Sequence, residues 1–179
     1  MVTVTSAPIL VVMGVAGTGK STVAGLLAER LKWEFQEGDA LHPPANVAKM
    51  SSGIPLTDED RWPWLDAIAA WIKVKTLRGE PGILTCSALK RSYRDRLRGP
   101  NVIFVFLNGS REVIAARMAS RADHFMPPAL LNSQLATLEP PTAEENVLEI
   151  NFAAGPEEEV AEVLRALEGR IASQPDARD

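Results

Sequence analysis

Short apolar runs alternate along the chain with longer segments in which apolar residues recur every three or four positions. Four runs bounded by Gly, Pro or Asn predict buried strands: Ile9–Met13, Ile83–Cys86, Val102–Leu107 and Val147–Ile150, with Trp33–Phe35 a weaker fifth. Helical spacing predicts helices over Lys20–Leu31, Asp58–Leu77, Ser87–Leu97, Arg111–Arg121 and Pro156–Ile171. In the second of these Leu65, Ile68, Trp71 and Ile72 fall on one face. Thr57 precedes it, and Asp58, Glu59 and Asp60 occupy its first turn, where acids complement the helix dipole. Trp62, Trp64 and Trp71 on this helix read first as core packing, with a dimer face as the alternative. Strand–helix alternation of this kind predicts an α/β fold, with a parallel sheet covered on both faces.

Composition narrows the picture. A chain of 179 residues supports one domain, set here at 1–172, with 173–179 as a frayed tail. It is 46% apolar and 23% charged, as ordinary globular proteins are. A net charge of −4 gives no bulk basic field for nucleic acid or an anionic membrane, although a local site for one small anion stays open. Cys86 is the single cysteine and lies in an apolar run, so a buried structural thiol is expected. With only His42 and His124 beside it, no zinc site is expected. The first apolar run, Ala7 to Val15, falls short of the ~20 residues that span a bilayer and lacks a basic leader. A cytoplasmic protein is the expectation.

The strongest chemistry follows the first strand. Gly14-Val15-Ala16-Gly17-Thr18-Gly19-Lys20-Ser21 fits G-x-x-x-x-G-K-[ST] and opens a helix containing Val23, Leu26, Leu27 and Leu31. A phosphate must be ringed by backbone N–H groups, which requires a loop that glycines let turn tightly. The helix that follows adds its unpaired amides and the positive end of its dipole. These residues, with Thr22, form the predicted ATP site. Lys20 reaches the β- and γ-phosphates and Ser21 is the predicted Mg2+ ligand. GTPases, ATPases and small-molecule kinases share this loop, so it does not fix the reaction. No Asn-Lys-x-Asp guanine segment follows, and the third strand ends Thr85-Cys86-Ser87 without the usual acid. An acid does stand at Asp39, just past the second strand.

From Gly38 the chain reads Gly38-Asp39-Ala-Leu-His42-Pro43-Pro-Ala-Asn46-Val-Ala-Lys49-Met50, then Ser52-Gly53-Ile-Pro55-Leu-Thr-Asp58-Glu-Asp60-Arg61-Trp-Pro-Trp64-Leu65. Cys86-Ser87-Ala88-Leu89-Lys90, Tyr93-Arg94, His124-Phe125, Ser133-Gln134 and Leu138-Glu139-Pro140 follow in order. In these strings the chain resembles the gluconate kinase family of P-loop small-molecule kinases, with no departure at a chemically important position. The resemblance implies a five-stranded parallel sheet in the order 2-3-1-4-5 with a helical lid. It also implies ATP-dependent phosphorylation of D-gluconate, and a homodimer. A kinase for another small acceptor, such as shikimate or a nucleotide monophosphate, and a non-catalytic nucleotide-binding module remain the alternatives at this point.

Gluconate is a polyol ending in a carboxylate, so its pocket needs hydroxyl-recognising groups and a cation. Asp39 is the predicted catalytic carboxylate, accepting a hydrogen bond from the attacking hydroxyl. Arg61 can grip a carboxylate with two N–H groups, or simply pair with Asp58 or Asp60. His42 and Lys49 lie on the segment that closes over substrate in similar kinases. Ser87, Lys90 and Arg94 open the helix after the third strand, with Lys90 and Arg94 expected on one face. Arg117 and Arg121, also four apart, are the predicted catalytic cations of a lid spanning about 122–138, which neutralises phosphate charge and excludes water. His124 and Gln134 are expected to face the acceptor from that lid.

Overall fold

Five parallel strands lie in the order β2-β3-β1-β4-β5 in the computed structural model, which describes residues 7–119, 128–151 and 155–172. The elements run β1 (Ile9–Met13), α1 (Lys20–Leu31), β2 (Glu34–Glu37), α2 (Pro44–Ser51), α3 (Asp58–Arg78), β3 (Gly82–Thr85), α4 (Arg91–Leu97), β4 (Val102–Asn108), α5 (Arg111–Ala119), α6 (Pro128–Thr137), β5 (Val147–Asn151) and α7 (Pro156–Ala172). The predicted fold class and strand order are those observed.

The central strand explains the layering. β1 pairs with β3 on one side and β4 on the other, and all five of its residues are buried. Successive side chains of a strand point to opposite faces. Leu10 and Val12 therefore meet Val23, Ala24 and Leu27 of α1 and Val160, Val163 and Leu167 of α7. Ile9, Val11 and Met13 meet Trp64, Leu65, Ile68 and Ile72 of α3 with Tyr93 and Leu97 of α4. A strand buried on both faces has no reason to alternate in hydropathy, which is why β1 and β4 read as continuous apolar runs. Cys86 is buried in the α3 layer, and burial pushes its thiol up to about 12, as befits a structural residue.

Several boundaries moved for physical reasons. β2, expected as the weaker fifth strand at Trp33–Phe35, runs over Glu34–Glu37 as an edge strand whose polar residues, Glu34, Gln36 and Glu37, weaken its apolar signal. The helix expected from Ser87 starts only at Arg91, because Ala88 takes a left-handed conformation at φ 46 and the next two residues stay outside the helix. α3 begins as expected: the Thr57 hydroxyl accepts from the Asp60 amide at 3.2 Å, and the Asp60 carboxylate accepts from the Thr57 amide at 2.9 Å. Two helices carried no readable signal. α2 buries only Asn46, so it has no apolar stripe to read. α6 falls inside the stretch expected to be a flexible lid, yet Leu131 anchors it in the core. No helix among the described residues is long and apolar enough to cross a membrane.

Candidate active site

The loops leaving the carboxyl ends of β1, β2 and β3 meet at one edge of the sheet, where open α/β sheets bind ligands. Residues 14–19 carry the chain from β1 into α1. Gly19 caps α1 at φ 83, a left-handed conformation that favours glycine. The first turn of α1 holds no acid and no side chain caps it. Its amides therefore favour an anion, and the Ser21 and Thr22 side chains stand exposed beside them. Thr18 is fully buried and donates to the Val15 carbonyl at 2.9 Å, bracing the loop from within. The Lys20 ammonium lies over the loop, 3.0 Å from the carbonyl oxygens of both Gly14 and Val15. Burial lowers its pKa, while the charges of Asp39 and Glu37 oppose that fall. No group of three or more His, Cys, Asp or Glu side chains able to cage a metal occurs among the described residues. The exposed Ser21 hydroxyl at the start of α1 fits a Mg2+ held mainly by nucleotide phosphates, as magnesium commonly is.

Asp39 stands exposed in a short 3-10 turn, Gly38–Leu41, directly after β2. Gly38 makes this placement possible. A Cβ there would sit 1.9 Å from the Thr85 carbonyl oxygen of β3. The Gly38 amide donates to the Thr85 hydroxyl at 3.2 Å, which itself donates to Glu37 at 2.6 Å. Trp64 of α3 donates its indole N–H to the Gly38 carbonyl at 2.8 Å. The turn that carries Asp39 is thus fixed from two sides. His42 follows, stacked on Trp64 with ring centroids 4.2 Å apart.

The expected acceptor cations are brought to this side, but each already has a partner. Lys90, the N-cap of α4, reaches both carboxylate oxygens of Asp58 at 3.1 Å. Arg61 donates to the Tyr93 hydroxyl at 3.1 Å and lies 4.0 Å from Asp58. Tyr93 donates to Asp58 in turn. The bonds from Tyr93 and then Lys90 hold the Asp58 carboxyl below its usual range, and the Asp58 bond raises Lys90. Lys49 contacts both oxygens of Asp60, at 2.9 and 2.8 Å, tying α2 to α3. That contact, with the Thr57 amide, lowers Asp60 to about 2. Ser87 lies in the turn after β3, where its carbonyl accepts from the Gly14 amide at 3.3 Å and ties that turn to the phosphate loop.

Two expectations need correction. Arg94 does not share a face with Lys90 at the surface; it is fully buried. Its guanidinium contacts Glu145 at 2.7 Å and donates to the carbonyls of Ala88 at 2.8 Å, Leu89 at 3.1 Å and Glu139 at 2.8 Å. A saturated, buried guanidinium cannot meet a substrate, and its work is to hold the irregular turn before α4. Gln134, expected to face the acceptor, instead accepts from the Ala16 amide at 2.6 Å and so bonds α6 to the phosphate loop.

On the lid side Arg117 lies near the end of α5, 3.8 Å from Glu159 of α7. Glu159 is fully buried, and no hydrogen-bond partner for either carboxylate oxygen occurs among the described residues. Burial pushes it up to about 7, against the pull of Arg117. Arg121 and His124, which the sequence also assigned to a lid, lie outside the described residues. Sequence reasoning assigned no role to Asn46, Tyr93 or Glu159, and gave Asp58 only a place in the first turn of its helix and a possible pairing with Arg61. Asp58 and Tyr93 sat in quoted strings without a signal that they meet, and nothing local marks Glu159 as buried.

The shikimate kinase family model matches residues 16–167 of the chain. The gluconokinase of Gluconobacter oxydans is 54% identical over 158 residues, covering 87% of this chain and 89% of that protein. The crystal structure of a gluconokinase from Sinorhizobium meliloti matches with a TM-score of 0.82 at 47% identity, covering 94% of this chain and 99% of that one. Shikimate kinase from Aquifex aeolicus, at 18% identity and a TM-score of 0.61 over 93% of this chain and 99% of that one, shares the fold.

Proposed function

The chain belongs to the gluconokinase family of P-loop kinases, and from that premise we propose that it transfers the γ-phosphoryl group of ATP to D-gluconate, giving 6-phospho-D-gluconate. The observation that carries the reading is the 54% identity to a gluconokinase across most of both chains. The meeting of a phosphate loop, the Asp39 turn and the Arg61–Lys90 cluster at one sheet edge supports it.

In this reading the loop amides and Lys20 hold the β- and γ-phosphates, and Arg117 and Arg121 spread over the charge that grows on the transferring group. Asp39 accepts a hydrogen bond from the 6-hydroxyl and points its lone pair along the line of attack; a loose transition state asks little more of a base. Arg61 and Lys90 turn from Asp58 and Tyr93 to the substrate carboxylate at the far end of the polyol. Placing the carboxylate there fixes which hydroxyl arrives at Asp39, so charge recognition sets the site of phosphorylation. Ser21 would hold Mg2+, which would supply positive charge to offset that of the phosphates. A homodimer and a cytoplasmic location complete the proposal, the first checked by light scattering.

ADP release from Mg-ATP, with gluconate, shikimate, AMP and glycerate offered in parallel, tests it. Rapid release with gluconate alone is expected. Release with another acceptor keeps the kinase chemistry and overturns gluconate, whereas tight ATP binding with no release favours a binding module.

A further inference from the structure

Asn46 is 3% exposed, the one buried residue of an otherwise solvated helix, and its buried amide has an identifiable task. One amide N–H of its Nδ2 reaches the Asp60 backbone carbonyl at 2.8 Å, and Nδ2 also lies 3.2 Å from His42 Nδ1. A backbone carbonyl can only accept. The opposite amide orientation would set oxygen against oxygen at 2.8 Å, so Nδ2 must face Asp60 and thereby presents its second N–H to His42. Nδ1 of His42 is then an acceptor, and the ring proton of a neutral imidazole belongs on Nε2. Trp64 stacks flat on the ring, 14° from parallel, and is itself bonded to Gly38, so the ring is held in place from a second direction.

We propose that Asn46 is a positioning residue that locks His42 as a neutral imidazole with its proton on Nε2, so that the ring meets the acceptor polyol as a hydrogen-bond donor. The donor role rests on the gluconate reading above; the tautomer does not. The charged groups facing the ring are Asp39 from the turn, which favours protonation, and Arg61 from α3, which opposes it. Burial is the largest influence and lowers the His42 pKa from its ordinary 6.5, in keeping with a ring whose Nδ1 already faces a donor. A donor at this position complements the acceptor at Asp39. Between them they would bracket hydroxyls of the polyol without a second carboxylate, whose charge would repel the substrate.

The test is nitrogen-15 NMR of the imidazole groups in the full chain, with His42 assigned as the signal lost in His42→Gln. The proposal expects a proton on Nε2 alone at neutral pH and a titration midpoint below 6.5. A proton on Nδ1, or a midpoint at or above that value, overturns it in the wild-type protein without any variant. Asn46→Asp, which reverses the polarity facing Nδ1, should raise the midpoint and move the proton to Nδ1; an unchanged tautomer in a folded variant contradicts the lock. For the donor role, glutamine places an N–H near Nε2 of the replaced ring and asparagine near Nδ1. His42→Asn should therefore raise the gluconate KM roughly three- to tenfold above that of His42→Gln, at similar KM for ATP. Equal KM values overturn the donor role. A protein whose His42 has the expected tautomer but that phosphorylates no gluconate contradicts the reading of function instead.

Discussion

The two ends of the active site are built from different materials. At the nucleotide end the groups proposed to face the phosphates are main-chain amides with one lysine, delivered by a single strand–loop–helix unit. At the acceptor end the groups are side chains from α2, α3 and α4 that meet only after the sheet has formed, and their cations are paired: Lys49 with Asp60, Lys90 with Asp58, Arg61 with Tyr93. An amide ring carries no net charge and needs no counter-ion before the ligand arrives. A cluster of cations does, because unpaired like charges at close range repel. The acceptor end therefore pairs Lys49 and Lys90 directly with carboxylates whose place the substrate can take, whereas Lys20 rests on the carbonyls of Gly14 and Val15.

The comparison can be broken most forcefully at Arg94, which sequence alone would group with the acceptor cations. Arg94→Ala leaves Glu145 buried without its partner and should cost about 3–5 kcal/mol in stability, read by denaturant unfolding. A variant of near-normal stability with a raised KM for gluconate alone would return Arg94 to the substrate site. Next in size is Lys20→Ala, expected to cut kcat about 10²–10³-fold while the unfolding midpoint stays close to wild type. Near-normal turnover would remove Lys20 from the phosphate contact.

The smallest effect concerns Glu159, 3.8 Å from Arg117. Its folded pKa, about 7, lies above the ordinary carboxyl value of 4.5. The folded state therefore binds its proton more tightly, and the stability this contributes is whole at low pH and lost as pH rises toward 7 and beyond. Glu159→Gln should match wild type near about pH 4 and exceed it in Tm by a few degrees near about pH 8. A gap that does not grow with pH would show that Glu159 is ionised in place.

What could be read in advance follows the same division. The phosphate loop, Ile9–Met13 and Lys20–Leu31 were legible to the residue because each is dictated locally: a buried strand by its apolar run, a loop by its glycines. The fold followed from the alternation of such units. The acceptor end was legible as a list of residues and much less as an arrangement. Lys49, Lys90 and Arg94 look alike in sequence, yet one ties two helices, one touches Asp58 beside the site and one is fully buried. Their differences lie in partners 11, 32 and 51 residues away, which no local pattern encodes. α2 escaped notice because it is held by a polar Asn46 rather than by an apolar stripe. α6 was hidden by its expected role in the lid.

The central claim is that Arg61 recognises a carboxylate and by doing so chooses the acceptor. The most direct test is kcat/KM for D-gluconate against D-glucitol, the same polyol chain without the carboxylate, in the wild type and in Arg61→Ala. The account predicts a strong wild-type preference for gluconate that falls by roughly tenfold or more in the variant, as removal of a charged hydrogen bond does. A preference unchanged by the substitution would contradict it.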